Sequence, residues 1–444
     1  MIHQDARETP QETPNESWIA TYGARFLGHK FFEAKVFELK RWELAADILA
    51  CALAVSLPWS TSATSILLVL WLIALVPTLS GVGLRHVVAT PAGGLPVLFC
   101  LLALIGLLWA IDVPMRERWG GVSSMLKLLA IPLLMFQFQR SSRASWIMIG
   151  FLASCAVLLM FSWVVIAFPK LQLTQREGFG VPVKDYIAQT GEFVVCIFLL
   201  AEMAVRFWRQ QRGRAIALVL LALLFLVNLL VISTSRTGLV VVPVLLLLFL
   251  WRHVDGRRLA AALLAAAVLG IGACLLSPNI RSNVTNLLEE VRSFRPEDSN
   301  RTRAGERLEY WRKSIGFIVN APVVGHGTGS IADQFRRAAV GQTGMAGLES
   351  KNPHNQIFGV AIQLGFLGTA VLFAMWLAHL ALFRGGESLV AWAGLVVVAE
   401  NVVSSLFNSH LFDFTQGWGY VIAVGTAGGV VLQRLSRPSA SARP

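Results

Sequence analysis

Lys351-Asn352-Pro353-His354-Asn355-Gln356 leads into an apolar run from Ile357 to about Leu382. A continuous run of that length is a membrane-crossing helix, because about 20 apolar residues span the hydrocarbon layer. Only helices or closed barrels satisfy their backbone groups there, and the run does not alternate as a barrel strand would. The hexapeptide closes the one long hydrophilic insertion of the chain, residues 277–356, so it marks where an aqueous loop re-enters the membrane. His354 occupies the last polar position of that loop beside Asn355. A titratable ring fixed at that boundary suits proton transfer on a membrane-borne substrate.

Working outward, the rest of the chain has the same character. Hydrophobic residues make up 55% of it and charged residues 14%, the composition of an integral membrane protein. The continuous apolar runs predict an all-α protein of about twelve transmembrane helices. They lie at roughly 43–59, 63–80, 94–111, 122–138, 145–168, 188–207, 214–233, 238–251, 259–277, 356–383, 388–407 and 411–433. The five cysteines all fall inside these runs, which argues against a disulfide or a cysteine–zinc site.

The organisation expected is a cytoplasmic N-terminal segment 1–42, helices one to nine over 43–277, and an outer loop 278–355. Three more helices follow over 356–433, then a cytoplasmic tail 434–444. The first forty or so residues read as a cytosolic leader without a cleavable signal peptide. The net charge of +12 would suggest nucleic acid in a soluble chain. Here short cytoplasmic connectors explain much of it, and no nucleic-acid partner is expected. Arg85, Arg140, Arg143, Arg206, Arg252 and Arg384 fall on one side if the spans alternate, with both termini. That side is cytoplasmic, which puts the loop outside, in the periplasm of a two-membrane cell.

Within the loop, Ile280, Val284, Leu287, Leu288, Val291 and Phe294 recur at helical spacing and predict an amphipathic helix on the membrane surface. Leu308, Trp311, Ile315 and Ile318 mark a second helix, ended by Asn320-Ala321-Pro322. A glycine-rich turn, Gly325-His326-Gly327-Thr328-Gly329, precedes a short helix at Ile331 and Phe335. Gly341 to Asn352 shows little apolar periodicity and is expected to be mobile.

Three residues stand out as carriers of chemistry. Arg236 sits in Ser233-Thr234-Ser235-Arg236-Thr237-Gly238, the polar tip of an otherwise apolar helical hairpin. It reads either as an interfacial arginine that snorkels to lipid phosphates or as a phosphate clamp. Arg307 shares a helix face with Trp311 four residues on, so the arginine can project into a site while the tryptophan anchors the helix. The alternative is a solvated arginine on a surface helix. Arg301 and Arg303 are weaker members of the same anionic-ligand patch. His354 is the natural general base, with Asn355 able to orient its ring or a substrate hydroxyl; a capping or interface histidine is the alternative. His326, His379 and His410 are less persuasive, lying in a glycine turn, within a span and at a span end. No metal-ligand spacing occurs, and the outer loops hold no Asp-x-Asp, so neither metal nor cofactor is expected. Arginines would then have to offset the charge of a diphosphate substrate.

The ordered set of Ser-Arg-Thr-Gly-Leu at a hairpin tip, Arg-x-x-x-Trp in the loop, Gly-x-Gly-x-Gly after Ala-Pro, and His-Asn at loop exit resembles the O-antigen ligase family. That superfamily also contains O-antigen polymerases and protein O-oligosaccharyltransferases. The motifs cover roughly Leu230 to Leu382; upstream the likeness rests on span count and hydropathy. The resemblance implies a metal-independent, inverting glycosyltransferase of GT-C-type architecture in the bacterial inner membrane, its site facing the periplasm. The implied donor is an O-antigen glycan on undecaprenyl pyrophosphate, and the implied acceptor is a sugar hydroxyl of the lipid A-core oligosaccharide. By position His354 matches the family's proposed base, and Arg236 and Arg307 match its essential arginines. Asn355, Arg303 and Trp311 would be accessory. His326 departs from the small apolar residue often found in the family's glycine turn. The compact length and the lack of a sizeable soluble domain after the last span argue mildly against a protein-modifying enzyme. They do not separate ligase from polymerase. A transporter with an anion site near Arg236 is the rival of a different class. Against it, most ionisable residues gather in the outer loop and at span ends, with Lys127, Glu202 and Glu400 as the exceptions.

Overall fold

The computed structural model describes residues 37–173, 180–232, 235–258, 261, 272, 278–297 and 301–436. Most of the expected ninth span (259–277), most of the N-terminal segment and most of the C-terminal tail lie outside these residues, as does the side chain of Arg236. Among the described residues the chain is entirely helical, and a helix overlies each predicted span except the ninth.

Among the described residues six helices are long and apolar enough to cross a membrane: Thr61–Thr78, Met115–Arg140, Ala144–Ala167, Tyr186–Phe207, Arg212–Val231 and Gln356–Arg384. A seventh crossing needs Gly81–Val88 and Pro91–Ile105, which meet at 88°, to count as one broken span. Thr237–His253 and Leu389–Ser404 are apolar but shorter. The molecule is therefore a multi-pass membrane protein, with the count of twelve reached only in part. Hydropathy windows run through caps and breaks that the backbone respects. Ser60, Thr90, Asp185, Asn355 and Ser388 each accept a first-turn N–H and start a helix there, as short polar N-cap residues do.

Close packing holds the bundle. The helix Phe414–Leu435 carries Gly425-x-x-x-Gly429, and a Cβ at Gly425 or Gly429 would lie 2.5 Å from Leu134 Cβ or 2.6 Å from the Met135 carbonyl oxygen. Small residues let this backbone lie directly on Ala130–Arg140, the usual means of helix association in lipid.

Polar contacts join connectors at each end of the bundle. On the basic side, Arg206 donates to the Glu387 carbonyl, Arg252 to the Gly386 carbonyl and Arg140 to the Thr78 carbonyl. On the other, Lys127 donates to the carbonyls of Phe412 and Asp413, and Arg337 pairs with Asp112.

The loop has a core of its own. Tyr310, Phe317, Ile331, Phe335, Met345 and Leu348 pack together and against Ile362 of the re-entry helix Gln356–Arg384. Two expectations change here. The helix Arg303–Asn320 buries Tyr310, Lys313, Ser314 and Phe317, whereas Ile315 of the expected stripe is 53% exposed. The segment 341–352 is packed rather than loose. Met345 and Leu348 enter the core from a short turn at Gly344–Gly347, and the Lys313 ammonium donates to the carbonyls of Ala346 and Leu348 at 2.5 and 3.0 Å. Its apolar residues are too few to show a period, yet both are anchors.

Candidate active site

The re-entry helix is broken at Gly365, where φ is 59° and ψ is −152°. A break orphans the carbonyls of Ile362 and Gln363 and the N–H groups of Phe366 and Leu367, which would otherwise bond one another. The glycine-rich turn meets all four. His326 N–H donates to Ile362 and Gly327 N–H to Gln363, while Phe366 and Leu367 donate to the carbonyls of Pro322 and Val323. So close an approach excludes a Cβ: one at Gly325 would lie 2.5 Å from the Gln363 carbonyl carbon, and one at Gly327 2.6 Å from Ala110 Cβ. Gly325, Gly327 and Gly329 all have positive φ. The turn is thus the clasp that docks the loop on the bundle. His326 belongs to this clasp, its Nε2 lying 2.8 Å from the Phe317 carbonyl oxygen.

One end of the clasped assembly holds His354. Its backbone is left-handed, with φ 53°, a conformation that costs a residue with a side chain about 1–2 kcal/mol. Asn352 holds it there. The Asn352 Oδ1 accepts the His354 N–H at 2.8 Å and the Ser409 hydroxyl at 2.7 Å. Asn355 next caps the helix, accepting from Phe358 N–H and donating to the Leu406 carbonyl. Both ends of that amide are therefore committed to the fold, and Asn355 does not orient the ring. Asn408 does, from the turn 405–413: His354 Nδ1 lies 3.0 Å from its Oδ1. An amide oxygen only accepts, so Nδ1 carries the proton and Nε2 keeps its lone pair. Nε2 has no hydrogen-bond partner among the described residues. Tyr310 stacks on the ring with centroids 5.9 Å apart.

The electrostatics favour a neutral imidazole. Burial lowers the His354 pKa, the Asn408 hydrogen bond pushes it back up, and the positive charge of Arg307 lowers it further; the net direction is down. Arg307 acts on His410 as well, where burial and that same charge bring the pKa to about 4. Arg307 thus lies close enough for its charge to act on both imidazoles. Trp311 stands one turn on from Arg307 and packs edge-to-face on Phe358 at 6.1 Å, fixing the helix against the base of the site. Arg303 is exposed in the first turn of the same helix.

The hairpin tip comes to the same end. Ser235, Thr237 and Gly238, which flank Arg236, line a small cavity together with Glu400 and His410. Asn408 was missed in the sequence, and His410 was set aside there as a histidine at a span end. They lie 54 and 56 positions beyond His354 in a turn with no motif, and only their polarity between two apolar runs could have flagged them.

A protein-family model described as O-Antigen ligase matches residues 220–373, a stretch that takes in the hairpin tip, the loop, the clasp and His354. The chain is also 27% identical over 158 residues to an uncharacterized protein of Haemophilus influenzae, a match covering 34% of this chain and 39% of that protein. Over residues 220–373 the chain is thus similar to the O-antigen ligase family.

Proposed function

We propose that the protein is an O-antigen ligase of GT-C type in the bacterial inner membrane. It transfers a glycan from undecaprenyl pyrophosphate to a sugar hydroxyl of the lipid A-core oligosaccharide on the periplasmic side. The observation that carries this reading is the His354–Asn408 pair, which leaves a neutral imidazole with an available Nε2 lone pair in a site influenced by Arg307.

In this reaction His354 Nε2 takes the proton of the acceptor hydroxyl as that oxygen attacks the anomeric carbon. Undecaprenyl pyrophosphate leaves from the opposite face and the configuration inverts. Arg307 and Arg236 stabilise the charge that develops on the pyrophosphate, each such group being worth about 2.7–4 kcal/mol of barrier. No metal is required, because guanidinium groups carry out the charge compensation.

Reconstitution of purified protein with lipid A-core and an undecaprenyl-linked glycan tests the assignment. A glycan ladder on lipid A is the expected product. Lengthening of the carrier-bound chain instead would make the protein a polymerase. His354→Ala should abolish transfer while the protein remains inserted, and an unchanged ladder from that variant would defeat the role of His354.

A further inference from the structure

A groove of about 460 Å³ opens at the basic end of the bundle, at the far end of the re-entry helix from His354. It forms because Gln356–Arg384 and Arg236–His253 each pack on Leu389–Ser404 and leave a space between their last turns. Leu248, Leu377, Leu380, Ala381 and Leu395 make its walls. Leu377 is 64% exposed, so the groove faces the surrounding lipid rather than the core. From Leu377 to Arg384 it runs about 10 Å along the helix, within the roughly 15 Å of hydrocarbon in one leaflet.

Charge at the mouth selects what can lie there. Arg252 and Arg384 line the groove, and among the described residues no carboxylate does. Arg252 is held in place: its guanidinium stacks on Trp392 at 5.2 Å and donates to the Gly386 carbonyl at 3.1 Å. The nearby Glu202, 3.8 Å from Arg252 Nε, is already committed to Arg206 and His253. Arg384 is exposed and has no hydrogen bond or ion pair among the described residues. Trp251 beside Arg252 is 62% exposed, and tryptophan settles at head-group level in a membrane. Two guanidinium groups at the mouth of an apolar groove match a phosphate that carries hydrocarbon chains. A zwitterionic lipid gains less, because its cationic head repels the arginines, and a free phosphate leaves the walls uncovered.

We propose that this groove is a binding site for an anionic glycerophospholipid of the leaflet at the basic end. Arg252 and Arg384 hold its phosphate, and an acyl chain lies between Arg236–His253 and Gln356–Arg384.

Native mass spectrometry of the detergent-purified full chain, titrated with dioleoyl phosphatidylglycerol or dioleoyl phosphatidylcholine, tests it. The wild type should bind the anionic lipid at least about tenfold more tightly. Arg384→Gln should weaken that binding about fivefold, the worth of one basic side chain beside an anionic head group. Ala381→Trp, which fills the groove without changing charge, should remove the preference. Arg209→Gln takes a charge from the same end but outside the groove, and binding should stay within about twofold. If Ala381→Trp does not melt like the wild type, Arg384→Gln decides alone. Equal binding of the two lipids by the wild type, or wild-type affinity in Arg384→Gln, would overturn the site. A loss in Arg209→Gln as large as that in Arg384→Gln would overturn it in favour of diffuse attraction to a basic surface. An Ala381→Trp variant that binds lipid normally but turns a dimer into a monomer would assign the groove to a second copy of the chain instead.

Discussion

At His354 the decisive fact is which nitrogen carries the proton. A histidine at a loop end titrates like any other unless something selects its tautomer, and here the Asn408 Oδ1 at 3.0 Å selects Nδ1–H. Asn408 touches the ring and acts through it, so it is a positioning residue. Asn408→Ala should reduce kcat by about tenfold to a hundredfold, the loss that misplacement of a reacting group brings, with KM for the acceptor unmoved. A variant whose kcat matches the wild type would show that the ring holds its own orientation. The pH profile follows from the same surroundings. Burial and Arg307 lower the His354 pKa from its ordinary 6.5, and in the proposed reaction the neutral form is the base. Activity should therefore rise with pH through a midpoint below 6.5 and be nearly complete by neutrality. An acid limb centred above 6.5 would contradict a buried imidazole beside a guanidinium.

At the scale of elements, the glycine turn and the broken helix form one unit, because each supplies the hydrogen bonds the other lacks. Gly327 has φ 91°, and a Cβ there would lie 2.6 Å from Ala110 Cβ. Gly327→Ala should cost about 1–2 kcal/mol for the left-handed backbone and about 1–3 kcal/mol for crowding. The expected result is faster hydrogen exchange at the amides of His326 and Gly327 and easier proteolysis of the loop. Exchange and cleavage at wild-type rates would mean that the loop is docked by other contacts. Helices of this kind were legible wherever an apolar run followed a short polar cap, as at Ser60, Thr90 and Asn355. The break at Gly365 was not, since the groups that stabilise it come from Pro322 to Gly327, some 40 residues earlier. Periodicity likewise misjudged Arg303–Asn320, whose buried face includes Lys313 and Ser314. Lys313 is satisfied by carbonyls of a distant turn that no local pattern reveals, and Ser314 by the Tyr310 carbonyl of its own helix. His354 and Arg307 were readable because each sits in a motif. Asn408 was not, because its role arises only when the turn 405–413 meets the loop end.

Across the whole molecule, much of the acidic charge is tied to arginine at both ends of the bundle. On the basic side Glu202 accepts two bonds from Arg206 and lies 2.6 Å from His253, and Asp47 pairs with Arg143 at 3.2 Å. At the other end Glu309 is held by Arg312 at 2.7 Å, Asp333 by Arg337 at 2.7 Å and by Arg336 at 3.2 Å, and Glu117 by Arg336. Of these, the Arg336–Glu117 pair joins the loop to the bundle, and all of them leave these carboxylates committed rather than presented to a ligand. The residues that converge toward His354 are instead a guanidinium, a second imidazole and amides, a set that attracts phosphate oxygens and repels divalent cations. In the proposed reaction, charge compensation on the leaving pyrophosphate would then come from the protein itself. Transfer measured in excess EDTA should proceed within about twofold of the untreated rate, since no tenfold barrier change (about 1.4 kcal/mol) is assigned to a metal. Magnesium added back should change nothing. A rate that collapses in chelator and returns with magnesium would show that a cation, rather than Arg307 and its partners, carries the developing charge.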